Sequence, residues 1–285
     1  MNTDKLYWGS FGIEPIDPCV DICLSDIQDP AKYPINQGIS TGYYNLDEAT
    51  SGIAPMSFNV IAGRPLMGTT SLALSICLNV AVNQKKPIAI FSLTQDKYLV
   101  TKMLLSLKSG VKYEQINRHD LNENDKIKIA AAADEIKSSP ILIDDGAFSI
   151  RAIKKKIEAY IEIDFKPAIV LIDDLSELAN IKNTKQVLKI VKQIKKLIQE
   201  TEVAVILTSR LLRKLEKRIA KFPMMADVPT GLRHPHPDLL LLLYREDYYK
   251  HHPIDKRHKT QIIIANNRHG ITGLTYLEFH CGIFT

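Results

Sequence analysis

Short apolar runs alternate with helix-like stretches from Ile39 onward, and this alternation constrains the fold more than any other feature. Five strand-like runs lie at 58–62, 87–93, 140–145, 168–174 and 203–209. Helical candidates lie beside them at 70–83, 95–108, 123–137, 149–162 and 184–201. Continuous apolar strands separated by helices are typical of a parallel sheet that is covered on both faces. The pattern therefore predicts an α/β fold with a mainly parallel sheet flanked by helices.

The two ends of the chain depart from this alternation. Three further apolar runs, LLLLLY, TQIIIAN and LTYLEF, follow one another without long helices. They predict antiparallel or mixed strands at one edge of the sheet. Residues 1–37 carry four prolines and little periodicity, which predicts an irregular N-terminal arm. We expect one domain over 38–285, since a chain of this length and 45% apolar content can bury one large core.

Several classes of protein are disfavoured by composition. No apolar run reaches the length of a membrane span and no signal-peptide pattern opens the chain, so we expect a cytoplasmic protein. CVDIC lacks a second cysteine pair at zinc spacing, and four scattered cysteines do not form a disulfide framework. HPHP at 234–237 and His251-His252 are typical of solvated loops rather than of a metal site.

Positive charge is concentrated in one part of the chain. Between Lys182 and Lys221 there are twelve Lys or Arg residues against three acids, a local charge of +9, so the rest contributes −4 to the net +5. One interpretation is a patch that attracts a phosphate backbone. The other is that KQVLKIVKQIKKLI forms an amphipathic helix whose lysines are its solvated face. Both remain open from the sequence.

The stretch GRPLMGTT has the outline of a phosphate-binding loop between a strand and a helix. Its candidate nucleotide-binding residues are Gly63, Arg64, Pro65, Gly68, Thr69 and Thr70. The glycines permit a tight loop whose backbone N–H groups face a phosphate, and the following helix adds its positive end. Thr69 stands where a lysine normally neutralises the β- and γ-phosphates. Without that lysine, the pattern is also compatible with an ordinary strand-to-helix turn.

A second candidate element is AIVLIDDL, an apolar strand that ends in two aspartates. Asp173 has the position of the carboxylate that holds a magnesium-bound water in phosphate-loop NTPases, and Thr70 is placed to contact the same ion. An acid at a strand end is also a common cap. The order of the two motifs, roughly a hundred residues apart in the manner of a phosphate-loop NTPase, favours the nucleotide interpretation.

A series of segments resembles the C-terminal motor domain of the DnaB-type hexameric replicative helicases. In chain order they are TGYYNLDEATSGI, GRPLMGTTSLAL, AIFSL, the IDD strand, PMMAD, LLYREDYY and IIIANNRHGITG. The resemblance runs from about Ile39 to the C-terminus. It implies a RecA-like fold, ATP and Mg²⁺ as cofactors, like or related subunits arranged in a ring, and single-stranded DNA in the central channel. The first 37 residues resemble neither the family's N-terminal domain nor its linker helix. We expect that this arm does not take over their role in closing the ring.

Several working residues that the resemblance implies are replaced in this chain. The loop lysine falls on Thr69, and the water-activating glutamate falls on Thr94. The sensor-strand glutamine falls on Arg210, and the lysine of the family's KxR pair falls on Asn266. The arginine of that pair, which acts on the neighbouring subunit's site, is retained as Arg268.

Other positions agree with the family, and one loop does not. Thr70, Asp173, Tyr244 and Arg245 match the implied pattern. The DNA-contacting loop after PMMAD reads VPTGLRHPHPD, in which Arg233 is the nearest cation. The loop therefore lacks the Arg-Glu-Ser-Gly run that the resemblance implies there.

The sequence thus favours a helicase motor domain that binds nucleotide but hydrolyses ATP poorly or not at all, with Arg268 acting in trans. One alternative is an active ATP-dependent DNA helicase in which Arg64, Lys97 or Arg210 replaces the missing cation. Another is a replication scaffold protein that binds neither nucleotide nor DNA. We place catalytic roles on Arg268 and Arg210, and metal contacts on Thr70 and Asp173.

Overall fold

The computed structural model describes residues 16–28, 38–250 and 258–285. The chain divides into two units, Met1–Gln37 and Gly38–Thr285. The first unit contains helix α1, Ile16–Gln28, where the sequence led us to expect an irregular arm. Pro18 is compatible with this helix because it lies in the first turn, where backbone N–H groups have no intrahelical partner. His251 and His252 lie outside the described residues.

The second unit is built on a nine-stranded sheet with the strand order β3-β2-β4-β5-β1-β6-β7-β8-β9. The first six strands in this order pair in parallel, and β6 to β9 pair antiparallel. This confirms the predicted parallel sheet with a mixed edge. The strands are β1 Phe58–Gly63, β2 Ile88–Ser92, β3 Ile141–Asp144, β4 Ile169–Asp173, β5 Ala204–Arg210, β6 Leu239–Tyr244, β7 His258–Asn267, β8 Gly273–His280 and β9 Ile283–Phe284.

Helices cover both faces of the sheet. After α1, the helices of the described residues are α2 Tyr44–Thr50, α3 Thr69–Asn83, α4 Lys97–Ser109, α5 Tyr113–Arg118, α6 Glu123–Lys137, α7 Ile150–Glu162, α8 Leu175–Leu178, α9 Thr184–Thr201, α10 Thr230–Arg233 and α11 Glu246–Lys250. Two 3₁₀ turns, Arg213–Lys217 and Met225–Asp227, follow β5. Helices α3 and α4 pack in the core on one face, and α7 and α9 pack in the core on the other.

Burial on both faces explains why the central strands read as unbroken apolar runs. Every residue of β1, β2 and β4 is buried, and successive side chains alternate between the two cores, as Val60 and Ile61 do. Strand β3 lies at the edge and is half-buried. Within the described residues, no helix has the length and apolarity that a membrane span requires. No two cysteines are joined in a disulfide in the part of the chain that the structure describes.

The topology divides the candidate residues between the two ends of the strands, which we call the carboxyl edge and the amino edge of the sheet. Strands β4, β5 and β1 are neighbours, so their carboxyl ends place Asp173, Arg210 and Gly63 at one edge. The turn between β7 and β8 lies at the other edge, because Asn267 pairs with Leu239 at the start of β6. Arg268 belongs to that turn.

Candidate nucleotide site

The candidate phosphate-binding loop joins β1 to α3, and close contacts leave no room for a side chain at either of its glycines. Gly68 has φ +91°, and a Cβ there would lie 3.0 Å from the Phe284 ring. A Cβ on Gly63 would lie 2.8 Å from Cγ2 of Thr69. No side chain caps the start of α3. Its first backbone N–H groups therefore remain available to an anion, with the positive end of a 15-residue helix behind them.

Thr69 is the first residue of α3 and brings no charge to this loop. Its side chain is half-buried, with its methyl group against Gly63. The nearby Arg64 is already engaged, since its Nε lies 2.7 Å from Glu216 and its Nη1 donates to the Leu211 carbonyl at 2.8 Å. Lys97 is exposed at the start of α4, with its ammonium 5.7 Å from the centre of the Tyr98 ring. Neither Arg64 nor Lys97 is seen to replace the lysine.

Asp173 and Thr70 meet at the carboxyl edge, as the sequence predicted. The Thr70 hydroxyl lies 3.1 Å from each carboxylate oxygen of Asp173, and Thr208 on β5 donates a short hydrogen bond to the same carboxylate. Asp173 is only 4% exposed. Burial raises the pKa of its carboxyl group, and the adjacent charge of Asp174 acts in the same direction, while the bonds from Thr208 and Thr70 oppose the shift.

The donor set fits a magnesium ion only when phosphate oxygens complete it. Thr70 and Asp173 offer hard oxygen atoms, which Mg²⁺ prefers, but Mg²⁺ also requires octahedral coordination. The described residues contain no group of three His, Cys, Asp or Glu side chains that could hold a metal. These two residues would therefore hold the ion together with the nucleotide and its waters.

Arg210 ends β5 beside Gly63, in parallel register with it. Its Nε lies 3.1 Å from Oδ2 of Asp174, and half of its side chain is exposed. Asp174 also caps α8, accepting a hydrogen bond from the Ser176 backbone at 2.7 Å. Arg210 thus lies at the end of the strand next to the loop, and its guanidinium is partly neutralised by an anchored carboxylate.

Arg268 and Asn266 do not join this cluster. The Arg268 side chain is 74% exposed, and its Nη1 lies 3.0 Å from Asp238. The Asn266 amide donates to the Pro237 carbonyl at 2.7 Å. Because the start of β6 pairs with Asn59, this edge lies four residues below Gly63, or about 13 Å along the strand. Arg268 is therefore remote from the loop of its own chain.

Thr94 follows β2, whose carboxyl end lies beside that of β4. The Leu93 backbone N–H donates to the Asp173 carbonyl at 2.6 Å, which places Thr94 next to the Asp173 strand end. Thr94 is exposed. The expected position of the base is thus at the correct edge, but it carries a hydroxyl.

A cavity of about 820 Å³ adjoins the loop at Leu66, Gly68 and Ser71. Its wall includes Arg245, whose guanidinium donates to the Leu66 carbonyl at 3.1 Å and to Asp247 at 2.5 Å. The same guanidinium lies 4.0 Å from the centre of the Phe279 ring. Arg245 was expected from the sequence, whereas Asp247 and Phe279 were not. Asp247 lies two residues after Arg245 in the segment Arg-Glu-Asp, and this short separation could have suggested the pair. No local sequence pattern connects Phe279 to the loop.

The chain matches the model of one protein family over residues 38–284, described as the DnaB-like helicase C terminal domain. It belongs to that family. The resemblance stated from the sequence motifs is therefore confirmed.

Relatives of this DnaB-like domain are replicative helicases of greater length. A probable replicative DNA helicase from Trieres chinensis is 31% identical over 265 residues, covering 90% of this chain and 58% of the relative. The replicative DNA helicase DnaB of Buchnera aphidicola subsp. Baizongia pistaciae is 31% identical over 283 residues, covering 94% of this chain and 60% of the relative. The chain thus spans about three-fifths of each.

Solved structures agree with this DnaB-like assignment. A solved ATPase domain superposes with a TM-score of 0.83 at 31% identity, covering 95% of this chain and 98% of that one. A DnaB-like replicative helicase, described with its interactions with primase, gives 0.82 at 30% identity, covering 95% of this chain and 67% of that one. A KaiC-like protein from Pyrococcus horikoshii shares the fold at 13% identity, with a TM-score of 0.59 over 86% of this chain and 95% of that one. The predicted RecA-like fold is confirmed.

Proposed function

We propose that this chain is a replicative-helicase motor domain that binds Mg²⁺ and a nucleoside triphosphate at its carboxyl edge but hydrolyses it slowly or not at all. The observation that carries the proposal is the loop itself, in which Thr69 replaces the lysine while Arg64 is bonded to Glu216. The groups that recognise phosphate through backbone N–H remain. The charge that would stabilise the leaving phosphate does not.

The missing lysine weakens both nucleotide binding and hydrolysis, whereas the missing glutamate affects hydrolysis alone. Without the lysine, binding loses about 1.5–3 kcal/mol, the typical contribution of a charge-assisted hydrogen bond, or roughly ten- to a hundredfold in affinity. Turnover loses more, because charge develops on the phosphate in a site that excludes water. Thr94 removes the general base as well, since a hydroxyl does not accept a proton usefully near neutral pH. Binding therefore survives changes that hydrolysis does not.

The cavity beside the loop supports nucleotide rather than bare phosphate as the ligand. Its size lies within the range of small-molecule sites, and it opens directly from Gly68. Arg245 and Phe279 present a stacked guanidinium and ring at its wall, surfaces that favour a planar base. Asp247 holds the guanidinium in place through a second pair of contacts.

We further propose a role in DNA replication, with single-stranded DNA and like or related helicase subunits as partners. The relatives named replicative DNA helicases motivate this assignment. Arg268 is exposed at the edge opposite the loop and is held by Asp238. A cation placed there can serve a neighbouring molecule's nucleotide, in the manner of an arginine finger supplied in trans.

Thermal melting with nucleotide, beside an ATPase assay with single-stranded DNA, tests the proposal. We expect ATP with Mg²⁺ at a hundred times its dissociation constant to add about 2.7 kcal/mol of stability, a rise of roughly 5–10 °C in Tm. Phosphate release should remain near background. Rapid release by the purified chain would contradict the proposal. No shift with ATP, ADP or Mg²⁺ would instead favour the scaffold alternative.

The position of Arg210 supports an active helicase as the second candidate. Its guanidinium is half exposed beside Gly63 and its partner Asp174 is fixed to the neighbouring strand end. In that case, DNA-stimulated ATP hydrolysis should be measurable and should disappear in Arg210→Gln, which retains hydrogen-bonding capacity without charge. A rate that is unchanged by the substitution would exclude this role for Arg210.

A further inference from the structure

A row of lysines runs along the solvent face of α9. Lys185, Lys189, Lys192 and Lys196 follow one another at intervals of four, three and four residues, which places them within an arc of about 60° at 3.6 residues per turn. All four are exposed. The buried residues of the helix, Val187, Val191, Ile194, Leu197 and Ile198, lie on its opposite side. We call the four lysines the basic stripe.

The basic stripe is largely uncompensated by acids. In the described part of the chain, only Lys196 of the four forms an ion pair, at 3.7 Å from Glu200. Several lysines on other helices do have carboxylate partners, as Lys126 has Glu123 and Lys250 has Glu246. Like charges at i and i+4 weaken a helix. Folding therefore gains nothing from this arrangement, and a helix with mixed charge would solvate its outer face equally well.

The flank of the stripe adjoins the loop that precedes β6. Gly231 of α10 packs on α9 so closely that a Cβ there would lie 2.7 Å from Cβ of Val187. Lys195 donates to the His236 carbonyl at 3.2 Å, which fastens the loop to the same helix. Arg233 ends α10, where its Nη2 donates to the Thr230 hydroxyl at 2.8 Å. One flank of α9 is therefore covered by this loop, while the four lysines of the stripe remain exposed.

We propose that the basic stripe of α9 binds the phosphate backbone of single-stranded DNA. This rests on the proposed association with DNA and assigns that association to a surface. Successive lysines on the stripe rise by about 5 Å, so that the row spans roughly 16 Å and meets several phosphates at once. Lysine and arginine contacts of this kind release counterions and give binding without sequence preference.

Charge removal on the stripe tests the proposal. The stripe variant carries Lys185→Gln, Lys189→Gln and Lys192→Gln, since glutamine has nearly the helix propensity of lysine. Binding of a labelled oligothymidylate is measured by fluorescence anisotropy over a series of KCl concentrations. Each lost phosphate contact lowers the slope of log K against log salt by about 0.7, so we expect the stripe variant to lose about 2 from the slope. Its affinity at low salt should fall by at least about tenfold.

A matched control removes the same charge from the other face of the sheet. Lys126→Gln, Lys128→Gln and Lys137→Gln lie on α6 and are exposed. This control should retain the wild-type slope and bind within roughly twofold of it. Replacing the three stripe lysines with arginine should restore binding, because the contact depends on charge. Equal losses in the stripe and control variants would overturn the assignment.

The nucleotide-dependent rise in Tm, measured on every variant, separates the possible failures. A stripe variant that retains this rise is folded and has an intact nucleotide site, so its DNA affinity reports on the stripe alone. If the wild-type chain shows no salt-dependent DNA binding while nucleotide still raises Tm, the proposed DNA association and the stripe both fall. If DNA binds equally well to the stripe variant, only the stripe assignment falls.

Discussion

Restoring the missing cation with Thr69→Lys should tighten nucleotide binding without restoring hydrolysis. Thr69 is the first residue of α3, and its Cγ2 lies close to Gly63. A lysine side chain at this position would therefore begin inside the loop. The new ammonium can reach the β- and γ-phosphates, as it does in loops of this outline. It adds a charge-assisted contact of about 1.5–3 kcal/mol. The expected gain in affinity for ATP with Mg²⁺ is therefore roughly ten- to a hundredfold.

Isothermal titration calorimetry of ATP with Mg²⁺ measures this gain, with Thr69→Gln as the control. Glutamine has a comparable polar reach but no charge, so its affinity should stay close to that of the wild-type chain. A positive charge in the first turn of a helix is slightly unfavourable, by about 0.3–1 kcal/mol, so neither variant should be more stable without ligand. Equal affinities of the lysine and glutamine variants would refute the electrostatic reasoning.

Hydrolysis provides the second part of the same test. Thr69→Lys alone leaves Thr94 in place, so the attacking water still lacks a base and phosphate release should stay low. Adding Thr94→Glu supplies a carboxylate at the end of β2, beside the Asp173 strand end. The double variant should therefore hydrolyse ATP faster than either single variant. Full turnover by Thr69→Lys alone would mean that another group already acts as the base.

Three further predictions follow from individual contacts. Asp173→Asn should abolish the Mg²⁺-dependent part of the nucleotide-induced Tm rise. Because burial raises the pKa of the Asp173 carboxyl group, the folded state favours its neutral form. That stabilisation is complete below the unfolded pKa of about 3.9 and is lost as the pH rises through the raised pKa of the folded state. The ligand-free asparagine variant should therefore melt at a higher temperature than the wild type at neutral pH, but not in acid. Gly231→Val should lower stability by about 1–3 kcal/mol in urea unfolding, since a Cβ there meets Val187 at 2.7 Å, whereas Gly273→Ala, with open space around it, should cost less. Arg268→Ala should leave the chain's own nucleotide affinity unchanged but remove any stimulation of ATP hydrolysis that the wild-type chain gives to an active family member, and equal rates with both would refute the trans role.

The parallel part of the sheet was predictable because its central strands are buried on both faces. Eight of its strands appeared as apolar runs, since α helices cover the parallel part from both sides. The ninth, Ile283–Phe284, has only two residues and no periodicity to read. Helix α1 was missed because four prolines and weak periodicity dominated the interpretation of residues 1–37. The short helices Tyr44–Thr50 and Tyr113–Arg118 are held by tertiary packing rather than by a local pattern of their own.

The candidate site was predictable only where it is contiguous in sequence. The loop and the end of β4 can each be recognised from a pattern of a few consecutive residues. The parallel topology then brings the two segments together. The contacts that occupy the loop's neighbours come from distant segments. Glu216 reaches Arg64 from 152 residues away, and Phe279 stacks on Arg245 from strand β8. Such partners depend on the packed fold, so no window of sequence could have identified them.

The two edges of the sheet can lose function independently of each other. The loop, Asp173 and Arg210 form one proposed half-site at the carboxyl ends of the strands, while Arg268 and Asp238 form another at the amino ends. The Asp238 carboxylate accepts the Phe58 backbone N–H at 2.8 Å, so the second half-site is anchored to the start of β1 and the first to its end. A rigid, fully buried strand joins them, but no side chain is shared. Loss of the cation at the loop therefore leaves the surroundings of Arg268 unchanged. Under the function that we propose, a chain that hydrolyses its own nucleotide slowly would still be able to assist a neighbouring subunit.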